Sequence, residues 1–273
     1  MSVSVKTCAS PAEAAAALAA DRGARYIAGG TLVMRALNEG DVGITTLVRL
    51  ADRSLSEIRA SGARVTLGAE VTLLQILRNN ELAFLHPVAR TIGGPAVRTM
   101  GTVGGNLFAY PPFGDLTVAL LALDATVSIQ SGYGQRDVAL EEFLSNRDRS
   151  QGALVLGVSF ARPASPDAFR YRKVSRVKPK GASVVSIAAH LPNMSGRVSN
   201  ARIAYGAMGP TAVRAKAAER ALEGRALDEA GVGPAVAAAA EGLAPTTDPI
   251  ASAWYRREVV GVHLRRVLLG REA

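Results

Sequence analysis

Residues 92–125 read IGGPAVRTMGTVGGNLFAYPPFGDLTVALLALDA, and the reading of the whole chain turns on them. From Ile92 to Asp115 the stretch is rich in glycine, contains proline and holds no sustained helical or strand period, so a largely irregular segment is expected. A long irregular segment inside a compact domain is uncommon unless it has a job, which makes this the first place to look for function. Leu116–Leu123 returns to regular, buried structure. Within the stretch, Gly101-Thr102-Val103-Gly104-Gly105-Asn106 carries one glycine pair. A second lies upstream in Ala28-Gly29-Gly30-Thr31-Leu32, at the end of a short apolar run, Ala24–Ala28, that reads as a buried strand. Glycine permits positive φ and close backbone approach, so each pair can gather several amide N–H groups into one concave anion site, with a hydroxyl from Thr31 or Thr102 as a further donor. Either pair alone is equally an ordinary tight turn. Two together suit a dinucleotide diphosphate held between two loops. Neither has the G-x-G-x-x-G or G-x-x-x-x-G-K-[ST] spacing, which disfavours a Rossmann fold and a P-loop.

Working outward, Ser10-Pro11-Ala12-Glu13 combines an N-cap serine, proline at the first helical position and a glutamate three residues after the cap, so a helix runs to Ala20 and stops at Asp21-Arg22-Gly23. A short helix at Leu32–Leu37 and strands at Thr46–Leu50 and Arg64–Gly68 follow, giving alternating β and α. Thr72–Asn79 and Leu82–Thr91 show helical spacing. Strands are expected at Thr126–Ile129, Gln135–Leu140 and Leu154–Phe160, the first two joined by a turn at Ser131–Gly134. Arg162-Pro163-Ala164-Ser165-Pro166 is the boundary candidate. Beyond it come strands at Phe169–Val174, Ser183–His190 and Arg197–Tyr205, then helices near Ala212–Leu222, Asp228–Ala240 and Ala253–Leu269, a small α+β unit of three strands followed by helices. Trp254 and Tyr255 begin the last, basic amphipathic helix, which either docks a partner or packs on its own domain.

Composition narrows the function classes. Charges interrupt every apolar run short of the roughly 18 residues a membrane helix needs, and MSVSVKTCAS lacks the pattern of a secretory signal, so a cytoplasmic protein is expected. Cys8 is the single cysteine of the 273 residues, too few for an internal disulfide, an iron–sulfur cluster or a structural zinc; any such centre belongs to another chain. The net charge of +9 raises the question of nucleic acid, with one concentration at Arg162, Arg170, Arg172, Lys173, Arg176, Lys178 and Lys180. That run lacks interleaved base-stacking aromatics apart from Phe169 and Tyr171, so a solvated or partner-facing surface is the expectation. His86, His190 and His263 have no metal-ligand spacing and lie outside the glycine loops.

The stretch 92–125, the earlier AGGT, YRKVSR at Tyr171–Arg176 and AYGAMGPTAVRAKAAERALEG at Ala204–Gly224 together resemble, in order and spacing, the FAD-binding subunit of the xanthine dehydrogenase and carbon monoxide dehydrogenase family of molybdenum hydroxylases. The resemblance covers nearly the whole chain. It implies an α+β fold: a PCMH-type FAD-binding domain at 1–165, with two α/β subdomains at roughly 1–55 and 56–165, then a small α+β C-terminal domain of the CO dehydrogenase flavoprotein type at 166–273. It implies non-covalent FAD, with Ala28, Gly29, Gly30, Thr31 and Leu32 as the first diphosphate loop, Thr102, Gly104, Gly105 and Asn106 as the second, Asp115 as an acidic ligand, Ile92 lining the pocket and Lys173 beside the flavin. It implies partners: an iron–sulfur small subunit and a molybdopterin large subunit, in a dimer of heterotrimers. A lysine near the N1–C2=O edge stabilises charge on reduced flavin; Arg176 or Lys178 serves instead if the loop shifts. Some relatives carry a tyrosine where this chain has Gly181. Tyr110 and Phe113 pack near the flavin, at a subunit contact or inside the loop.

Asp115 has a second reading as a cap on a helix starting at Leu116. For the whole chain, the alternatives are a self-sufficient flavin oxidase or reductase acting on a small molecule, against which no additional substrate domain or acid–base pair is found, and a basic nucleic-acid-binding protein. The substrate pocket of a complex, whether for CO, a purine such as caffeine, an N-heteroaromatic or an aldehyde, lies in a chain other than this one, and NAD, oxygen and quinone stay open as final acceptor.

Overall fold

Ser10 starts the first helix as its sequence pattern requires: its hydroxyl accepts from the Glu13 amide at 3.2 Å, and the Glu13 carboxylate reaches back to the Ala9 amide at 2.8 Å. The computed structural model describes residues 2–51, 53–60, 62–147, 152–178, 181–193 and 196–271, and the elements and absences below are those of these residues. The first group of elements is β1 (Ser4–Cys8), α1 (Pro11–Ala20), β2 (Ala24–Tyr26), α2 (Val33–Asn38) and β3 (Thr46–Leu50). Its sheet is parallel, in the order β1-β3-β2. Strand β1 was not expected, because SVKTC has only one buried side chain, Cys8, and shows no apolar alternation.

The second group comprises β4 (Ile58–Arg59), β5 (Arg64–Gly68), α3 (Leu73–Arg78), α4 (His86–Arg90), α5 (Pro95–Met100), α6 (Val103–Leu107), α7 (Asp115–Ala122), β6 (Thr126–Ser131), β7 (Gly134–Ala139), α8 (Leu140–Asn146) and β8 (Leu154–Ala161). Its sheet, β4-β5-β8-β6-β7, is antiparallel throughout, so parallel β–α–β character is confined to the first sheet. The stretch expected to be largely irregular holds two short helices, α5 and α6. Glycine lowers helix propensity, but Pro95 presets the first turn of α5, the Thr102 hydroxyl caps α6, and the Val103 and Gly104 amides are held by the Val71 and Ala69 carbonyls at 2.8 Å each. Tertiary contacts override local preference there.

The third group is β9 (Phe169–Ser175), β10 (Ser183–His190), β11 (Arg202–Gly206), β12 (Val213–Arg214), α9 (Lys216–Leu222), α10 (Gly233–Ala237) and α11 (Ala253–Leu268). The antiparallel order is β12-β11-β10-β9, four strands where three were expected. Val213 and Arg214 pair with Tyr205 and Ala204, so the segment expected to begin a helix at Ala212 first closes the sheet. The helix expected over 228–240 is reduced to α10, which starts around Pro234, a residue with no N–H to bond back to an earlier turn.

Every residue of β10 is buried, which requires cover on both faces of its sheet. One face packs on α7, itself buried at every position, and joins the core of the first two groups. The other face, with Val185, Ile187 and Ala189, carries α9, α10 and α11. Gly206 lets α7 approach: a Cβ there would meet Ser186 Oγ at 2.4 Å and Val118 Cγ2 at 2.9 Å. Helix α7 thereby brings Asp115 against β9 and β10.

Candidate functional site

The first glycine loop leaves β2 after the Ile27 amide bonds the Val48 carbonyl at 2.8 Å. Gly30 has φ +70°, the left-handed region open to glycine. Among the described residues, the amides of Gly29, Gly30, Thr31, Leu32 and Val33 have no acceptor, and the loop is half-exposed at Ala28–Thr31. Five successive donors are thus left without partners within the described residues.

The second loop touches the first. A Cβ on Gly29 would lie 1.6 Å from the Met100 carbonyl oxygen, and one on Gly101 would lie 3.7 Å from Thr31 Oγ1. Most of its amides, however, are spent internally: Gly104 N–H on Ala69 O, Gly105 N–H on Thr102 Oγ1 at 3.1 Å, and Asn106 N–H on Thr102 O at 3.1 Å, while Thr102 N–H has no acceptor among the described residues. Asn106 Nδ2 also donates to Thr102 O, at 2.9 Å. The expectation of free amides is corrected for Gly104, Gly105 and Asn106 of the second loop, whose glycines instead allow close packing on Ala69, where a Cβ at Gly104 would meet the carbonyl oxygen at 3.0 Å. What this loop can still offer is the Thr102 hydroxyl proton and the Thr102 backbone N–H.

From there the site continues into α7, where Thr117 Oγ1 donates to Asn106 O at 2.8 Å. Helix α7 begins at Asp115 itself, after Gly114 at φ +86°, and makes no side-chain cap. The reading of Asp115 as a helix cap is therefore corrected: its carboxylate is committed to long-range partners. Oδ2 accepts from Lys173 Nζ at 2.7 Å, and Oδ1 accepts from Ser183 Oγ at 2.7 Å. Both members of the ion pair are only 5% exposed. Lys173 also donates to the Thr91 carbonyl at 3.0 Å, which places it beside Ile92. Tyr171, two residues earlier on the same face of β9, sets its phenol near Thr91 Oγ1 at 3.5 Å. Burial first, and the Asp115 charge second, push that phenol well above the usual tyrosine range, so it stays protonated.

The described part of the basic run does not gather into one face. Arg170 donates to the Val267 and Leu268 carbonyls at the end of α11, Arg172 to His263 Nδ1 at 3.2 Å, and Arg162 pairs with Glu81 at 2.8 Å. Arg176 turns toward the Pro249 and Ile250 carbonyls and Lys178 is exposed, so Lys173 is the cation brought to Asp115. Lys180 lies outside the described residues. Gly181 donates to Val177 O at 2.8 Å, and a Cβ there would fall 2.5 Å from that oxygen, so a side chain at 181 requires the turn to move. Tyr110 and Phe113 are 57% and 49% exposed, which removes the reading that they fill a loop core; Arg147 sits 4.2 Å from the Tyr110 ring centre and Arg35 5.8 Å from that of Phe113. His86 bonds the Ile76 and Asn79 carbonyls. Trp254 is 68% exposed at the start of α11.

Ser183 was missed by the sequence reading. In the ladder to β9, Ser183 pairs with Ser175 and Val185 with Val174, so Val184 is an extra residue, a β-bulge that turns Ser183 onto the face shared by Ser186 and Lys173. Strict alternation would place Ser183 on the opposite face, and no local signal marks the bulge. Tyr171 was accessible from its period-two relation to Lys173.

A family model described as the FAD binding domain in molybdopterin dehydrogenase matches residues 1–163, and one described as the CO dehydrogenase flavoprotein C-terminal domain matches residues 170–270. The chain is 32% identical over 272 residues to the 6-hydroxypseudooxynicotine dehydrogenase complex subunit alpha of Paenarthrobacter nicotinovorans, covering 94% of this chain and 90% of that one. Among solved structures it matches quinoline 2-oxidoreductase from Pseudomonas putida 86 with a TM-score of 0.86 at 30% identity, covering 99% of this chain and 96% of that one. It matches CO dehydrogenase from Oligotropha carboxidovorans with a TM-score of 0.87 at 27% identity, covering 100% and 99%. The chain belongs to the family of FAD-binding medium subunits of the molybdenum hydroxylases.

Proposed function

We propose that this chain is the electron-transfer flavoprotein of a heterotrimeric molybdenum hydroxylase, assembling as a dimer of heterotrimers in the cytoplasm. Electrons released from substrate at a molybdopterin large subunit cross the [2Fe–2S] clusters of a small subunit to the FAD held here and leave to an external acceptor. The observation that carries the reading is the row of five uncommitted amides at Gly29–Val33, pinned against the second glycine loop, because a diphosphate needs several backbone donors free of other partners. FAD when bound supplies the two-electron to one-electron conversion. Ala28–Leu32 hold its diphosphate by backbone N–H groups; Thr102 adds a hydroxyl, with Gly104, Gly105 and Asn106 keeping that loop close. Ile92 lines the pocket. Lys173, held by Asp115, faces the flavin, where a buried cation favours the more negative, reduced cofactor. The division into 1–165, with parts at 1–55 and 56–165, and 166–273 belongs to the same reading and agrees with the separate sheets. With a single cysteine, Cys8, which is buried, the chain holds no cluster of its own. Tyr110 and Phe113, exposed and flanked by Arg147 and Arg35, form part of the small-subunit contact. The relatives' names refer to glyceraldehyde, nicotine and carbon monoxide, consistent with a substrate pocket in the large subunit.

The test is the visible absorption spectrum of the purified chain, followed by acid or heat release and chromatography of the chromophore. Released FAD, together with co-purification of a metal-rich partner, is the expected result. A colourless protein that takes up no FAD at micromolar concentration overturns the reading.

A further inference from the structure

Asp115 uses both carboxylate oxygens inside the protein, one on Lys173 and one on Ser183, each at 2.7 Å. Lys173 has three N–H groups. Two are taken by Asp115 Oδ2 and the Thr91 carbonyl, and the third has no acceptor among the described residues. Ser183 is 1% exposed, and its backbone is fixed without the hydroxyl: its amide donates to Pro112 O at 3.2 Å, and its carbonyl accepts from the fully buried Arg256 at 3.3 Å. The hydroxyl donates to Asp115.

From this geometry we infer that Ser183 is a positioning residue for the Lys173 cation: by engaging Oδ1 of Asp115 it divides the carboxylate's charge, holds Oδ2 toward Lys173 and leaves the third ammonium N–H aimed at the cofactor. The inference rests on the reading that FAD binds beside Lys173. In a buried setting an acceptor stripped of its donor draws harder on the remaining one. Without the Ser183 hydroxyl, Asp115 concentrates its charge on Lys173, and the net positive field offered to the reduced cofactor falls. Oxidised FAD, which carries less charge, is affected less.

The test measures the reduction potential of bound FAD and the affinities for its oxidised and reduced forms, in the parent chain and in Ser183→Ala, Ser183→Cys and Ser183→Thr. Cysteine keeps the volume with a weak S–H donor, and threonine restores the hydroxyl. The expected result is a tenfold loss in the preference for reduced over oxidised FAD in Ser183→Ala, equal to about 30 mV for a two-electron couple. A smaller loss in the same direction is expected in Ser183→Cys, with return to within twofold of the parent in Ser183→Thr. A parent chain that binds FAD alongside alanine and cysteine variants of unchanged potential would overturn the inference while leaving the flavoprotein reading intact; if alanine fails to fold, the cysteine variant alone decides. A parent that binds no FAD overturns the flavoprotein reading and this inference together.

Discussion

At Gly29 the constraint is steric and at Gly30 it is conformational, and the two separate experimentally. A methyl on Gly29 would meet the Met100 carbonyl at 1.6 Å, a backbone atom with no rotamer to yield. Gly29→Ala is expected to part the two loops, lower stability by about 1–3 kcal/mol as an overpacked site does, and abolish FAD retention. Gly30→Ala meets only side chains, Met34 at 3.3 Å and Ile27 at 3.5 Å, but must hold φ +70°. It is expected to cost about 1–2 kcal/mol while keeping the cofactor. Thermal unfolding and the flavin absorbance of the purified variants check both; a Gly29→Ala protein with full flavin and parental Tm would show that the loops do not touch. At the same scale, Asp115 corrects a sound local rule. An acidic residue beside a helix start is a natural cap, yet a carboxylate inside the first turn that meets Lys173 and Ser183 from distant strands takes them instead.

Among elements, β10 and α11 show how the third sheet is tied to the site. Arg256 on α11 is 1% exposed and donates to the Val184 carbonyl at 2.6 Å and to the Ser183 and Ala207 carbonyls at 3.3 Å, while its other nitrogen pairs with Asp248 at 2.7 Å. The β-bulge disrupts the regular ladder at Val184, and the guanidinium supplies the donors there. Arg256→Met keeps much of the apolar stem but leaves those carbonyls short of donors, with an expected destabilisation of about 2–4 kcal/mol. Urea unfolding checks the value, and a change below about 0.5 kcal/mol, ordinary for a surface site, would mean the bulge does not need the arginine. The same bulge explains why Ser183 was illegible: its side-chain direction depends on a ladder shift that period-two reading cannot see. By contrast, Ser10, Glu13 and Pro11 announced α1 because every group involved lies within a few residues.

Across the whole molecule, pH acts through histidines that folding places in a cationic or apolar setting. His263 on α11 is pushed down to about 4, first by burial, then by Arg172 and Arg266. His190 is lowered too, by burial and then Arg202, against the opposing charge of Asp124. Below the ordinary histidine value of 6.5 the unfolded chain therefore binds protons that the folded chain refuses. Stability from His263 is fully present above pH 6.5 and is lost as the pH falls toward about 4. Denaturation midpoints are expected to decline across that window, with a shallower decline in His263→Gln; equal slopes in parent and variant would refute the assignment.

The sequence by itself determined what is written in adjacent residues: the α1 cap, most strands with their buried faces and the two glycine pairs; Asp115 and Lys173 stood out only through the family resemblance. Order and spacing sufficed because hydrophobic periodicity, capping and turn chemistry act over a handful of residues. Only the tertiary structure decided that Asp115 and Lys173, 58 residues apart, form one buried pair, that Gly104, Gly105 and Asn106 spend their amides on Ala69 and Thr102, and that a bulge delivers Ser183. Each of those outcomes depends on which backbone groups remain unpaired once α7 is pressed against β10, a balance of long-range hydrogen bonds and close packing that no local window of the chain contains.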